Sequence, residues 1–379
     1  MLFLDVVVFL FFFDMAVRMY LALNKTMSAI KITGTGCYIP ENVTSNRDFL
    51  KHEFFQADGS PFTTENEAII EKFQSITGIS ERKYAKNHHN ASALATFAAE
   101  RAIDDANIDP EQLDYIIVGH NFGDVAHGHN QSDMLPALAA RVKHQLGIQN
   151  PSCVAYDLIF GCPGWVEGVI QAQAFIKAGM AKRCLVIGAE TLSRVVDHND
   201  RDSMIFADGA GATIIEEIKG DGGLLSHNTA TYTTDETYYI YAGGSYCNPK
   251  NDNTQYIKME GRKVYEFALS HVPQSMKDCF DASGHQIEGL KKVFIHQANE
   301  KMDEAILKRF YRLYRTQMPE DVLPMNIQTY GNSSVATVPT LLDLVRKGQL
   351  KDHKLNKGDV ILFASVGAGM NINAITYQL

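Results

Sequence analysis

Three side chains in this sequence have the chemical types of a nucleophilic site: Cys162, His296 and Asn332. A cysteine sulfur forms covalent acyl intermediates, a histidine ring transfers protons, and an asparagine amide donates hydrogen bonds without changing its charge. Each residue also has an ordinary structural explanation, because lone cysteines are commonly buried and Gly-Asn pairs are commonly turns. Whether they do chemistry depends on the elements that would bring them together.

The cysteine lies at an abrupt change of pattern. Residues 157–165, DLIFGCPGW, end an apolar run at Gly-Cys-Pro-Gly, and a helix-like pattern follows through Ile176. This predicts a strand, a sharp turn that carries Cys162, and a helix whose first residue is Pro163. Unpaired N–H groups and the helix dipole would favour a thiolate there. The alternative is a buried structural cysteine.

Apolar strand patterns and amphipathic helix patterns alternate along the chain, as in an α/β protein. The predicted elements are a strand at 29–40, a helix at Ala91–Ala106, a strand at Asp114–His120, a helix at 136–146, a strand at Arg183–Gly188, a helix at 260–281, a strand at Leu290–His296 and a strand at Asp359–Ala364. Helix–strand units recur in both halves of the chain. We therefore predict a tandem duplication, with an N-terminal half at 27–216 and a C-terminal half at 217–379 packed as one body.

Two other segments suggest ligands, and both have simpler explanations. Residues 204–216, MIFADGAGATIIE, contain glycines that could form a phosphate loop, but the Lys-Ser/Thr of a Walker loop and the GxGxxG of a dinucleotide site are missing. We predict instead a strand, a tight glycine turn and a second strand. His120, His127 and His129 lie in or beside the polar segment 121–134 without a motif such as HExxH, so we predict a polar loop and no metal site.

The N-terminal segment does not fit the pattern of the rest. Residues 1–23 are strongly apolar but carry Asp5, Asp14 and Arg18, which suits neither a signal peptide nor a membrane span of barely sufficient length. We predict that residues 1–26 are foreign to the fold, through a start site placed too far upstream. A membrane-associating anchor is the alternative.

Composition bounds the partners and the compartment. The net charge is −9 and the pI is about 5.8, which argues against nucleic acid as the main partner because phosphate binding needs a basic surface. The six cysteines are widely spaced and form no CxxC pair, so they predict neither a disulfide scaffold nor a zinc site. A reducing cytoplasm is the expected location.

Four motifs occur in order along the chain: GCPGWVEGVIQAQAFIKAGMAKRCLVIGAE, MIFADGAGA, HQAN and GNSSVATVP. Together they resemble the β-ketoacyl-ACP synthase III family of the thiolase superfamily, and the resemblance runs from about residue 28 to the C-terminus. It implies a thiolase-like five-layered αβαβα fold from two similar halves, a homodimer, and no metal or redox cofactor. It also implies that Cys162 is the acylated nucleophile and that His296 and Asn332 complete the triad.

The resemblance further implies a two-step condensation. Cys162 would attack an acyl thioester, and backbone N–H groups of Cys162 and of Ala368, in the Gly367–Gly369 turn, would hold the oxyanion. His296 Nε2 and the Asn332 amide would donate hydrogen bonds to the carbonyl of a malonyl- or β-ketoacyl-thioester, which requires His296 to be neutral. The resulting carbanion would attack the acyl group and form a C–C bond, with ping-pong kinetics.

Some positions depart from the pattern of the family's priming enzymes. Lys72 and Ile76 stand where those enzymes usually have a Trp and an Arg around the adenine of coenzyme A, so this clamp is missing. Lys301, after HQAN, keeps the basic residue implicated in carrier-protein docking. Leu135 stands where an aromatic residue often closes the partner subunit's acyl pocket, and would admit a longer chain. Trp165, the single tryptophan, lies beside the nucleophile and is expected to help define the acyl site.

These departures favour a specialised condensing enzyme that takes carrier-bound or longer acyl groups. Ketosynthases of the dialkylresorcinol and flexirubin-type pigment pathways, which join two β-ketoacyl chains, are such relatives. The alternatives are housekeeping priming of fatty-acid synthesis from acetyl-CoA and malonyl-ACP, a non-catalytic thiolase-fold subunit that binds an acyl carrier, and thioester hydrolysis or ester formation from the same acyl-cysteine. The expected partner is acyl carrier protein, with acyl-ACP or acyl-CoA as substrate.

Overall fold

The computed structural model describes residues 28–247 and 253–379, so the segment 1–26 that we predict to be foreign to the fold lies outside the described residues. The strands are β1 (Ser28–Tyr38), β2 (Asn42–Ser45), β3 (Glu81–Tyr84), β4 (Tyr115–His120), β5 (Asp124–Val125), β6 (Ser132–Asp133), β7 (Val154–Ile159), β8 (Arg183–Thr191), β9 (Asp208–Lys219), β10 (Gly223–Thr231), β11 (Ile240–Gly243), β12 (Tyr256–Met259), β13 (Leu290–Ile295), β14 (Val360–Gly367) and β15 (Asn371–Gln378). The α-helices are α1 (Asn66–Thr77), α2 (Ala91–Ala106), α3 (Leu138–Gln145), α4 (Gly164–Lys177), α5 (Gly261–Ala282), α6 (Glu300–Leu313), α7 (Ile327–Tyr330) and α8 (Thr337–Arg346).

Two sheets of related topology form the body of the protein. The first has the order β1-β9-β8-β4-β7, with β9 antiparallel to both neighbours and β8, β4 and β7 mutually parallel. The second has the order β10-β15-β14-β13, with β15 antiparallel to both neighbours and β14 parallel to β13. The two sheets thus share strand order and direction over four strands. That this repeat arose by tandem duplication of 27–216 and 217–379 stays a prediction.

Three apolar cores separate the layers of the molecule. Helices α2 and α3 cover the outer face of the first sheet, and α5 and α6 cover the outer face of the second. Helices α4 and α8 lie between the two sheets, in one cluster that joins Ile117 of the first sheet to Phe363 of the second. The order helix, sheet, helix, sheet, helix confirms the predicted α/β class and the five-layered αβαβα arrangement.

The predicted glycine hairpin at 204–216 is wrong. Met204 lies in a 3₁₀ segment, Arg201–Ile205, and the glycines lie inside the continuous strand β9. The physical reason is packing: a Cβ on Gly211 would lie 2.7 Å from the backbone N of Thr340 in α8. The glycines therefore let a helix approach the sheet and do not turn the chain.

The polar region before α2 forms a smaller unit beside the first sheet. Strands β2 and β3 pair antiparallel, and α1 packs Ile70 and Phe73 into a separate apolar cluster with Leu192 and Phe206. The segment 121–134, predicted as a polar loop, contains the short antiparallel pair β5–β6. Among the helices of the described residues, none has the length and apolar character needed to span a bilayer.

Candidate active site

Cys162 occupies the turn between β7 and α4, where the sequence pattern predicts it. Gly161 before it has a φ of 65°, a left-handed conformation that glycine adopts freely, and this reverses the chain between strand and helix. The helix begins at Gly164, so Pro163 is the residue that precedes it and not its first residue. Cys162 is partly exposed and stands at the N-terminus of the central helix α4.

His296 directly follows β13, in the second sheet. Its backbone N donates to the Ala364 carbonyl at 2.8 Å, which continues the parallel pairing with β14, and its side chain is buried. Nδ1 lies 2.7 Å from Thr337 Oγ1. Burial lowers the pKa of His296 to about 4, so the ring is neutral at neutral pH, as the predicted chemistry requires.

The Thr337 hydroxyl decides which nitrogen of His296 carries the proton. This hydroxyl has one hydrogen, and it donates to the Ser334 carbonyl at 2.9 Å. Thr337 Oγ1 then accepts from Nδ1–H, which leaves Nε2 with a lone pair. The donor role predicted for Nε2 requires the hydroxyl to turn its hydrogen to Nδ1. With the hydroxyl hydrogen on the Ser334 carbonyl, Nε2 is a proton acceptor, and with that hydrogen on Nδ1, Nε2 is a donor.

Backbone hydrogen bonds to the segment before β9 hold Asn332 in place. Its backbone N donates to the Ile205 carbonyl at 3.0 Å, and its own carbonyl accepts from the Ala207 N at 2.8 Å. Its side-chain Oδ1 accepts from the Ser334 backbone N at 2.7 Å. Because the oxygen end of the amide is engaged within the loop, the Nδ2 donor is the end left for a substrate carbonyl.

Ser334 connects the three predicted residues. Its hydroxyl donates to the Cys162 sulfur at 3.2 Å, its backbone N binds Asn332, and its carbonyl binds the Thr337 hydroxyl that contacts His296. Sequence analysis missed Ser334 and Thr337, although both lie in the motif GNSSVATVP. Their signal in the sequence is position alone: they follow Asn332 by two and five residues.

Two close backbone approaches bring the expected oxyanion-hole residues to one place. A Cβ on Gly161 would lie 2.8 Å from the Ala368 backbone N, and a Cβ on Gly367 would lie 2.6 Å from the Cys162 backbone N. Side chains at these two positions would separate the segments. Their absence lets the Gly367–Gly369 turn lie against Cys162, where the resemblance implies backbone donors.

The surroundings of the Cys162 sulfur oppose the expected thiolate. Burial raises the pKa of the Cys162 thiol to about 12, and the hydrogen bond from Ser334 opposes that rise only in part. The cost of removing a charge from water acts against the favourable effect expected from the helix N-terminus. Burial therefore favours the thiol form of Cys162.

The expected substrate-binding residues have different surroundings. Trp165 is fully buried, donates from Nε1 to Thr213 Oγ1 at 3.2 Å and packs edge-on against Phe363 at 5.5 Å. Its position on α4 directs the indole into the core between the sheets, and its part in defining the acyl site stays a prediction. Leu135 is 90% exposed beside an open groove, and Lys301 is exposed in the first turn of α6.

The histidines considered for a metal have other roles. His120 is buried in β4 with Nε2 3.0 Å from Asp157 Oδ2, and its Nδ1 accepts from the Gly123 backbone N at 3.0 Å. His127 and His129 are exposed. Within residues 28–247 and 253–379, no group of three or more His, Cys, Asp or Glu side chains is arranged to hold a metal ion.

Comparison with known proteins decides the family. A family model described as 3-oxoacyl-[acyl-carrier-protein (ACP)] synthase III matches residues 156–233, and the model of its C-terminal part matches residues 280–379. The β-ketoacyl-[acyl-carrier-protein] synthase III of Caldanaerobacter subterraneus is 35% identical over 349 residues, which cover 90% of this chain and 95% of the relative. The chain belongs to the 3-oxoacyl-[acyl-carrier-protein] synthase III family. As a member it is a condensing enzyme of acyltransferase type.

Further relatives agree in sequence and in structure. The β-ketoacyl-[acyl-carrier-protein] synthase III of Fusobacterium nucleatum is 34% identical and covers 91% of this chain and 97% of the relative. The crystal structure of the 3-oxoacyl-[acyl-carrier-protein] synthase III from Aquifex aeolicus superposes with a TM-score of 0.75 at 30% identity, over 93% of this chain and all of that chain. The resemblance carried by the four motifs and the thiolase-like fold are thereby confirmed.

Proposed function

We propose that the chain catalyses a Claisen condensation in two half-reactions, with Cys162 as the residue that carries the acyl group. The observation that carries this proposal is the convergence at Ser334, which is hydrogen-bonded to Cys162 at 3.2 Å and to Asn332 at 2.7 Å. His296 joins through one further hydroxyl, that of Thr337. A nucleophile, a proton-transferring ring and a neutral amide donor from three separate elements form the constellation that acyl transfer requires.

In the first half-reaction the Cys162 sulfur attacks an acyl thioester. Its S–C bond forms, the donor's C–S bond breaks, and the donor leaves as a thiol that carries the proton lost from Cys162. Backbone N–H groups of Cys162 and Ala368 stabilise the oxyanion. In the tautomer with its hydrogen on Nδ1, His296 has a lone pair on Nε2 that is suited to relaying that proton.

In the second half-reaction a malonyl-thioester loses CO2 through cleavage of its C–C bond to the carboxylate, or a β-ketoacyl-thioester loses its α-proton to His296 Nε2, and either becomes an enolate. Asn332 Nδ2 donates to its carbonyl, and His296 Nε2 donates once the Thr337 hydroxyl turns to Nδ1. The carbanion attacks the acyl carbon, and the Cys162 sulfur leaves. Neither half-reaction oxidises or reduces its substrates, and N–H groups polarise the reacting carbonyls. We therefore propose that no metal or redox cofactor takes part.

The acyl donor is proposed to be a longer or carrier-bound acyl group, as in specialised lipid or polyketide biosynthesis of the dialkylresorcinol type. Lys72 and Ile76 are exposed on α1, and neither is an aromatic that could stack on adenine. Lys301, exposed at the start of α6, supports docking of an acidic acyl carrier protein. Housekeeping priming from acetyl-CoA is the alternative that the donor preference tests.

A homodimer is proposed because the first sheet ends in an exposed edge. β7 is the edge strand, and its terminal residues Val154 and Ile159 are exposed apolar side chains. Pairing with β7 of a second copy would cover them, and the exposed Leu135 would then contribute to the acyl pocket of the partner. The cysteines of the described residues are all free, which suits the proposed cytoplasmic location.

A product assay tests this function. Wild-type protein is incubated with malonyl-ACP and a panel of acyl groups, each offered on ACP and on coenzyme A, and new C–C products are identified by mass spectrometry. We expect condensation products with faster transfer from ACP. Absence of any C–C product would contradict the condensation, and equal rates from coenzyme A would contradict the carrier preference alone.

A further inference from the structure

A buried polar chain leads from the first sheet to the nucleophile. Glu190, at the end of β8, accepts from the backbone N of Asn121 at 2.9 Å and from its side-chain Nδ2. The same Nδ2 lies 3.0 Å from Ser334 Oγ, which in turn lies 3.2 Å from Cys162 Sγ. Glu190 and Ser334 are 1% and 2% exposed, so water does not compete for these bonds.

The hydrogen positions in this chain follow from the donors available. The Asn121 Nδ2 group carries two hydrogens, and Glu190 Oε1 and Ser334 Oγ each accept one. Because Ser334 Oγ accepts from Asn121, its own single hydrogen is left for the Cys162 sulfur. The chain therefore ends in a hydroxyl donor directed at the reacting atom.

The backbone holds Ser334 in this position through an unfavourable conformation. Its φ is 52°, in the left-handed region that non-glycine residues rarely adopt. Its backbone N and carbonyl are both engaged, with Asn332 and Thr337. Strained conformations of this kind persist where the surroundings determine them, and they concentrate at functional sites.

We propose that Ser334 is a further catalytic residue, whose hydroxyl stabilises the Cys162 thiolate, and that Asn121 and Glu190 are the residues that position it. The inference rests on the proposed function, in which Cys162 is acylated. A hydrogen bond to sulfur strengthens when the sulfur becomes charged, so it favours the thiolate over the thiol. Ser334 forms no covalent bond: the new S–C bond joins Cys162 to the acyl carbon, and the thiol proton ends on the departing carrier thiol.

The surroundings of the sulfur give such a donor its importance. Burial opposes the thiolate, while the Ser334 hydrogen bond lowers the pKa of Cys162. Burial also raises the pKa of Glu190 to about 8, so this carboxyl is largely uncharged at neutral pH. The neutral His296 ring contributes no positive charge. The stabilisation of the thiolate by a side chain therefore comes from Ser334.

Alkylation of Cys162 by iodoacetamide measures the thiolate directly. The full chain is used in a Cys247→Ser background, because Cys247 is an exposed cysteine, and the modified Cys162 peptide is quantified by mass spectrometry. We expect Ser334→Ala to alkylate about tenfold more slowly than the background protein at about pH 8, since a hydrogen bond to a charged group is lost. Ser333→Ala, which removes the neighbouring hydroxyl, is the matched control and is expected to react at the background rate.

Ser334→Gly separates the hydroxyl from folding. Glycine relieves the left-handed φ, so this variant is expected to fold at least as well and still to alkylate slowly. Background rates in both Ser334 variants would overturn the proposal. Iodoacetamide needs no acyl donor, so this result is independent of the proposed function, which fails separately if Cys162→Ala still takes up an acyl group.

The positioning residues are tested by rescue. Asn121→Ala frees the Ser334 hydroxyl to turn away from sulfur and is expected to slow alkylation by about threefold, while Glu190→Gln keeps the acceptor for Asn121 and preserves the rate at neutral pH. Glu190→Ala is expected to slow alkylation of Cys162 by the same factor as Asn121→Ala. Thermal unfolding of each variant shows whether rate and stability change together, and unchanged rates in Asn121→Ala and Glu190→Ala would refute the positioning role.

Discussion

Neutrality of His296 is the condition on which both half-reactions depend at the scale of single residues. Its buried ring, with Nδ1 2.7 Å from Thr337 Oγ1, can accept a proton or donate one, depending on which way the hydroxyl points. An imidazolium could only donate. The same burial that keeps the ring neutral also favours the thiol form of Cys162, and Ser334 opposes that effect at the sulfur.

Stability should fall in acid because of this ring. The folded-state pKa of about 4 lies below the ordinary value of 6.5, so between these pH values the unfolded chain binds more protons. The contribution of His296 is complete above about pH 6.5 and is lost as pH falls towards 4, by about 3 kcal/mol. Denaturant unfolding across this range in wild type and His296→Gln checks it. Equal pH slopes in the two proteins would mean that the ring is not held neutral by burial.

The two donors should affect the two half-reactions differently. We expect His296→Ala and Asn332→Ala to form the acyl-enzyme, with Asn332→Ala at close to the wild-type extent, and to lose condensation by at least about a hundredfold, since enolate stabilisation is lost. Intact-mass analysis reports acylation, and product assay reports condensation. Loss of acylation in both variants would mean that their roles are misassigned.

Thr337 should matter for the same step. Thr337→Val keeps the shape of the side chain but removes its bonds to His296 Nδ1 and to the Ser334 carbonyl. We expect condensation to fall by about tenfold or more with smaller loss of acylation. Thr340→Val, one turn along α8, is the matched control. Equal losses in the two variants would show that Thr337 acts through packing alone.

At the scale of elements, paired glycines on two strands let the Asn332 loop reach the nucleophile. Gly119 of β4 and Gly188 of β8 are direct register partners. A Cβ on Gly188 would lie 2.4 Å from the Val335 carbonyl, and one on Gly119 would lie 2.9 Å from the Gly164 backbone. Because these two positions have no side chains, both the Asn332 loop and the start of α4 pack directly on the sheet there. This packing brings Ser334 within reach of Cys162.

A methyl group at these glycine positions should disturb the site. Gly188→Ala is expected to destabilise the fold by about 2 kcal/mol through overpacking and to slow alkylation of Cys162. Gly289→Ala is the control, because a Cβ there would meet no atom within 4 Å. Denaturant unfolding and alkylation rates are compared. If Gly188→Ala changed neither the free energy of unfolding nor the alkylation rate, the close approach would be contradicted.

The sequence predicts elements better than it predicts what their glycines and aromatics do. Apolar runs identify β4 and β13, and the alanine-rich amphipathic pattern predicts α2 with the observed bounds Ala91–Ala106. The glycines of β9 resemble a turn in the sequence because the helix they accommodate, α8, is 130 residues away in the chain. The burial of Trp165 between the sheets could not be predicted, because nearness to Cys162 along the chain does not say which side of α4 faces the core.

The site residues show the same limit. Cys162, His296 and Asn332 could be proposed as a triad because they lie in motifs whose order along the chain is distinctive. Asn121, Glu190 and Ser334 could not, since their alignment depends on two strands and a loop that meet only in the folded protein. No local pattern marks a hydrogen bond between residues 213 positions apart.

At the scale of the whole molecule, the open edge of the first sheet predicts association of two copies. Ile159→Asp, placing a charge on the edge strand β7 where the side chain is 64% exposed, is expected to favour the monomer. Sedimentation should show twice the 42.1 kDa chain mass for wild type and a smaller species for the variant. Val43→Asp, at an exposed apolar residue of β2 away from this edge, is the control. A wild-type monomer at high concentration would contradict the dimer.

The central claim is that Cys162 carries the acyl group, and intact mass tests it most directly. The protein is mixed with acyl-ACP and acyl-CoA donors in the absence of malonyl-thioester, so that the first half-reaction stops at the acyl-enzyme. The account predicts a mass increase of one acyl group on wild type, located on the Cys162 peptide, and no increase on Cys162→Ala. An acyl group found on Cys162→Ala, or none on wild type with any donor, would contradict it.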